Sequence, residues 1–174
     1  MKSASACFTI GALLLAGLAP AQAGAALTAQ QVLQHIQAVG PEQAIGDYYG
    51  HPEWEAILQG VASAKPEWLQ AYSALETVAD SGAGEDLGKA IFEAIPSKPF
   101  KVLPLLTDNG TYTYAQACTF SFDSAMSAGE VQDYLRRLER ALAKAGSAKE
   151  RAAAKSCREG LVATRAGLGG DSQP

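Results

Sequence analysis

Few residues in this chain have both the type and the spacing to do chemistry. Asp47 and His51 stand four apart in "DYYGH", a separation that on a helix lets a carboxylate orient an imidazole or share a metal with it. Gly50 and Pro52 flank the histidine and argue against a shared helix face, so the pair reads as a cap and a loop histidine. His35 has no H-x-x-x-H partner, and His, Cys, Asp and Glu show no zinc-ligand spacing. No metal or cofactor is expected. Glu53, Glu55 and Glu67 are candidates for the paired acids of glycoside cleavage, which needs only two carboxylates at a suitable distance. There is no G-x-S-x-G elbow, and "GAGEDLG" at 82–88 follows a helix and not a strand, which makes it a helix linker and not a phosphate cradle. The expectation is a protein without enzymatic activity, with a hydrolase of envelope polymer as the enzymatic alternative.

The cysteines are informative once the start of the chain is read. Residues 1–25 show an early Lys2, an apolar run from Phe8 to Leu18, Pro20, and Ala21 and Ala23 around Gln22. This is a secretory signal with an A-x-A cleavage site after Ala23, Ala25 being the next choice, and its apolar run is shorter than the ~20 residues of a membrane span. Cys7 precedes the apolar run, so a lipidated cysteine is not expected. Cleavage leaves Cys118 and Cys157. An even pair in an oxidising compartment reads as a disulfide, with two buried thiols as the alternative. The expected location is the periplasm or the exterior, and no stable membrane insertion is foreseen.

The charge is uneven, and it narrows the class of partner. Residues 24–129 hold four lysines against twelve acids, whereas residues 130–165 hold nine basic residues against five acids. The total of −4 argues against nucleic acid, while the segregation can steer a charged partner. The basic run "YLRRLERALAK" is interrupted by acids and carries an ordinary core stripe, so it reads as a solvated helix and not a membrane-surface helix.

These residues must be positioned by helices. Thr28 and Gln31 have capping-box spacing, and Val32, Leu33, Ile36 and Val39 recur at helical period before Gly40-Pro41. A short helix through "EQAIGDYY" follows. The tripeptide Pro-Glu-Trp occurs at Pro52 and again at Pro66, each proline suiting a first helical turn. Trp54, Ile57, Leu58 and Val61 form one apolar stripe, and Trp68, Tyr72, Leu75 and Ala79 another with Leu69 beside it. The short join "ASAK" folds them into an antiparallel hairpin. Leu87, Ala90, Ile91, Ala94 and Ile95 belong to the next helix. Ser127–Glu130 and Ser147–Glu150 are capping boxes for two C-terminal helices, with Val131, Leu135, Leu138, Leu142 and Ala145, then Ala153, Cys157, Leu161, Thr164 and Leu168, facing inward.

Between Pro96 and Ser127 the pattern changes. Pro99 and Pro104, the turn signal Asn109-Gly110, and the shared parity of Tyr112, Tyr114, Cys118, Phe120 and Phe122 predict an extended segment, pairing as a hairpin with Val102 to Leu106. The resulting fold class is mainly α, built of antiparallel helical hairpins, HEAT-like or an irregular bundle, with one extended segment and a disulfide. The expected organisation is a signal peptide over 1–23, one helical domain over 24–168 and a disordered tail over 169–174.

The stretch 50–118, from the Trp54 helix through "GVAS", "PEWL" and "DSGAG" to the helix ending at Pro96 and then Cys118, resembles a group of small exported helical proteins of proteobacteria. The resemblance implies export, a helical architecture and the presence of the cysteine, and it transfers no catalytic residue. The two basic C-terminal helices lie outside it.

The tryptophans read first as core residues one turn into duplicated helices. As binding anchors they are the alternative, because Trp is favoured at interface hot spots. Tyr48, Tyr49, His51, Trp54 and Trp68 form the densest aromatic and polar neighbourhood and are the candidate binding residues. Small size, export, a disulfide and segregated charge together suit a module that binds another protein of the cell envelope, for which an immunity or inhibitor protein against a secreted toxin or cell-wall hydrolase is the most concrete form. A structural or adaptor subunit of an envelope assembly is the other expectation.

Overall fold

Capping chemistry marks where the helices begin. In the computed structural model, which describes residues 27–108, 113–120 and 126–170, the Gln31 N–H donates to the Thr28 hydroxyl (3.3 Å) and the Thr28 N–H donates to the Gln31 side chain (2.8 Å). This reciprocal box opens α1 (Ala29–Val39). Prolines at the first helical position, where the missing N–H has no intrahelical partner, open α2 (Pro41–Tyr48), α3 (Pro52–Ala62) and α4 (Pro66–Glu76). They are followed by α5 (Ser81–Ala94), α6 (Pro99–Thr107), α7 (Tyr114–Ala117), α8 (Ala128–Leu142) and α9 (Ala148–Gly170). The two expected boxes, Ser127 with Glu130 and Ser147 with Glu150, start α8 and α9. The expected signal segment over 1–23 with Cys7, the Asn109-Gly110 turn, Tyr112 and Phe122, and residues 171–174 lie outside the described residues.

The apolar stripes face one continuous core. Val32 and Ile36 of α1, Ile57 and Val61 of α3, Leu75 of α4, Leu87 and Ile91 of α5, and Leu135 and Leu138 of α8 are all buried. Each such side chain contributes roughly 1.5–3 kcal/mol by leaving water. α3 and α4 pack on each other as the expected hairpin, but α1 also packs on α4, α3 on α5 and α7 on α9. In a solenoid each unit touches only its neighbours. The fold is therefore mainly α and an irregular bundle.

Two local expectations are overturned. Val102 to Leu106 is not a strand; it lies in α6, with Pro99 at the first position and Pro104 inside the helix. An interior proline costs ~3 kcal/mol, and α6 persists because Val102, Leu103 and Leu106 are buried. Tyr114 is not extended either, because Tyr114–Ala117 is a helical turn opened by a capping box between Thr113 and Gln116. Tyr114 and Cys118 are four apart, a step that fits helical spacing as well as period two. Among the described residues there is no strand. The stretch 82–88 expected as a helix linker is likewise helical, forming the first turns of α5. α9 runs to Gly170, two residues into the stretch expected as tail.

α9 is held to the 113–120 segment by three contacts. The sulfurs of Cys118 and Cys157 are at disulfide distance, with their Cα atoms 5.1 Å apart and a separation of 39 positions in sequence. At Gly160 an added Cβ would collide with the backbone of Ala115 and Cys118, so α7 can lie this close only against a glycine. The buried Thr164 hydroxyl accepts from the Phe120 N–H (2.9 Å), while its proton faces the Gly160 carbonyl of its own helix (3.2 Å) and, farther off, the Cys118 carbonyl (3.4 Å). On the other side, the buried Tyr134 hydroxyl donates to the Phe92 carbonyl (2.8 Å) and ties α8 to α5. Burial raises the Tyr134 phenol well above the usual range.

Candidate functional site

Four of the five candidate aromatic and histidine residues come together where α2 meets α3. Gly50 turns the chain there with a positive φ of 79°, which favours glycine. The Tyr49 and Trp54 rings meet edge to face at 5.6 Å. Trp54 is buried, and its indole N–H donates to Asp86 on α5 (3.1 Å). The Tyr49 hydroxyl lies over Gly82, in the first turn of α5, where a Cβ would displace it. Tyr48 is half-buried against His35 at 5.1 Å. His51 is exposed at the start of α3, its backbone carbonyl accepting from the Trp54 N–H. Trp68 does not join this group. It is buried over Gly60, at the far end of α3.

Asp47 pairs with a different histidine from the one its spacing suggests. His35 Nε2 lies 2.7 Å from Asp47 Oδ2, and the Gln43 amide donates to Oδ1 (2.8 Å). The Gln43 and His35 hydrogen bonds hold the Asp47 carboxyl below the usual range. This contact joins α1 to α2 at the surface. Among the described residues no three His, Cys, Asp or Glu side chains gather as a metal-holding group. Glu67 is separated from the other two glutamates along the chain: Glu53 and Glu55 sit in the first turn of α3 and Glu67 beyond its last. The eleven residues of α3 rise roughly 16 Å, more than the ~5–9.5 Å that glycosidase carboxylates require.

A second region has no counterpart among the residues singled out from sequence. The turn from α5 into α6 brings Lys98 and Lys101 opposite Arg137, Arg140 and Lys144, and the five cations line an open cleft of about 810 Å³ with Glu150 as its one acid. All five are exposed. Arg137 pairs with Asp133 at 3.2 Å. Lys98, Lys101, Arg140 and Lys144 make no ion pair among the described residues. Glu150 is engaged with the backbone, accepting from the N–H groups of Ser147 and Gly146 (2.9 Å each). Those bonds, with a smaller contribution from the Lys101 charge, hold its carboxyl below the usual range. Two of the four lysines in the acidic part of the chain thus stand beside the basic helix. The available signal was the spacing of Arg137, Arg140 and Lys144, which puts them on one helix face; their meeting with Lys98 and Lys101 depends on tertiary packing.

What the cleft can do is attract and hold negative charge. Exposed cations gathered in a concavity focus the field and raise the encounter rate with an anionic partner. Among the described residues no helix is long and apolar enough to cross a membrane. Compared with known proteins, the chain matches no family model, no curated protein and no solved structure.

Proposed function

We propose that this chain is an exported protein-binding module that covers an acidic surface of its partner, with an immunity or inhibitor protein against a secreted toxin or cell-wall hydrolase as its most concrete form. The observation that supports this reading is the cationic cleft, where four exposed cations make no ion pair among the described residues. Exposed ion pairs within one chain are worth only ~0–1 kcal/mol. Complementary charge across an interface, by contrast, raises the association rate and excludes wrong partners. The export signal read from residues 1–23 and the Cys118–Cys157 bridge suit an oxidising compartment.

The test is a paired capture from periplasmic extract at moderate salt, using the oxidised domain and its Lys98→Glu/Arg140→Glu variant as baits. A single stoichiometric protein held by the first bait and lost by the second is the expected result. Retention of the same protein by both baits would remove the cleft from the interface. For the immunity form, the captured partner's toxic or lytic activity should fall on addition of the domain.

A further inference from the structure

We propose that the cationic cleft continues into the groove between α4 and α6, and that the two take one ligand: an acidic peptide segment of a partner protein that leads into an apolar side chain. This rests on the reading of the cleft as a protein-binding surface and specifies what the partner must present. Lys98 and Lys101 line both concavities, so they form a shared wall. Beyond them the groove holds about 700 Å³ and is walled by Ala64, Leu69, Ala74 and Leu105, with no charged residue except the two lysines. The surface therefore passes from cationic to apolar across one pair of side chains. Lysine suits such a boundary because its methylene stem lies against apolar surface while its ammonium stays in water.

Charge complementarity selects the ligand. The cations form a row and not a single focus: Arg137 to Lys144 covers seven residues, roughly 10 Å of helical rise. Alternate carboxylates of an extended peptide recur about every 6.8 Å, so a short acidic segment can address successive cations in that row. One phosphate headgroup can engage only one part of it. The apolar groove across the Lys98 and Lys101 wall from that row then receives a Leu or Phe side chain, whose burial is worth roughly tenfold or more in affinity.

Titration calorimetry with two synthetic peptides tests this on the oxidised protein. One peptide is six glutamates; the other carries Leu-Phe as an extension, prepared at either end. The extended peptide should bind about tenfold tighter in one of its two orders, as expected for one buried apolar side chain. Ala74→Phe, which fills the groove from its half-buried wall, should erase that gain, with an unchanged circular dichroism spectrum and urea midpoint reporting that the variant is folded. Leu105→Gln should reduce the gain without filling the groove. Lys98→Glu/Arg140→Glu should weaken both peptides.

Equal affinity for the two peptides, or a gain that survives Ala74→Phe, would overturn the inference and leave the proposed function standing. Binding of neither peptide would overturn both. Capture of phosphatidylglycerol vesicles without peptide binding would assign the surface to lipid, and self-association abolished by the same variants would assign it to a second copy; either result overturns the peptide.

Discussion

At the α2–α3 junction the Tyr49 and Trp54 side chains are engaged within the fold, whereas in the cleft beside α6 the three lysine side chains make neither a hydrogen bond nor an ion pair among the described residues. Of the two cleft arginines, Arg137 pairs with Asp133 and Arg140 donates to the Arg136 carbonyl. Trp54 has given its N–H to Asp86, Tyr49 lies over Gly82, and His35 holds Asp47. Lys98, Lys101, Arg140 and Lys144 make no ion pair among the described residues. Residue type alone favours the first region as a binding site, because tryptophan and tyrosine dominate interface energies. Geometry favours the second, because a side chain recognises a partner with the interactions it has not already made inside its own chain.

That contrast is open to direct attack. Trp54→Ala removes a buried ring and leaves Asp86 without its indole donor. We expect a loss of about 3–5 kcal/mol in urea unfolding, with partner affinity per folded molecule unchanged. A drop in affinity at undiminished stability would reverse the assignment of the two regions. Trp54→Phe should cost less, since the ring contact with Tyr49 can persist while the hydrogen bond cannot.

The bridge supplies the next effect. Cys118→Ser/Cys157→Ser opens a loop of 39 positions, and the chain-entropy relation gives a loss of about 4 kcal/mol. Because α9 rests on α7 and on α8, the variant should loosen the side of the bundle that carries the cleft. Amide exchange should rise in 113–120 and α9 before it rises in α1 to α3. Uniform acceleration through all helices would show that the two regions unfold as one unit.

Much of the fold was legible because helices announce themselves locally. The stripes of α1, α3, α4, α5 and α8 were readable from apolar spacing, and three capping boxes from their end residues. The Thr113–Gln116 box had the same form as Thr28–Gln31 and marked α7 just as plainly. It was outweighed by an aromatic parity that cannot separate a step of two from a step of four. α6 was hidden for a different reason: Pro104 opposes a helix from inside it, and only the burial of Val102, Leu103 and Leu106 reverses the balance. The cleft was the least legible feature. Lys98 and Lys144 are distant in sequence, and nothing local reports that α6 and α8 lie side by side.

Charge reversal in the cleft should affect stability little and binding much. Lys98→Glu/Arg140→Glu alters two exposed side chains without ion-pair partners, so unfolding free energy should stay within about 0.5 kcal/mol. Partner affinity should fall, and its salt dependence should flatten, because the steering charge has gone. A salt-independent affinity in the unmodified protein would detach the cleft from recognition.

The smallest effect compares one carboxylate from each region. Asp47 and Glu150 both titrate below their ordinary values, Asp47 mainly through the Gln43 and His35 side chains and Glu150 mainly through the Ser147 and Gly146 N–H groups. A depressed folded-state value means that the stabilisation is present above the unfolded-state value and is lost as pH falls through the folded one. Both regions should therefore weaken only under acid, and neither contact should change between neutral pH and the ordinary carboxylate range on account of these acids. Carboxyl NMR titration of the two residues checks this. Lys101→Gln should leave most of the Glu150 depression in place, since the lysine charge is the least of its causes, whereas Gln43→Ala should return Asp47 a good part of the way toward its ordinary value. If Lys101→Gln instead restored Glu150 fully, that acid would be an internal partner of the cleft, and the cleft would resemble the aromatic junction in being already engaged.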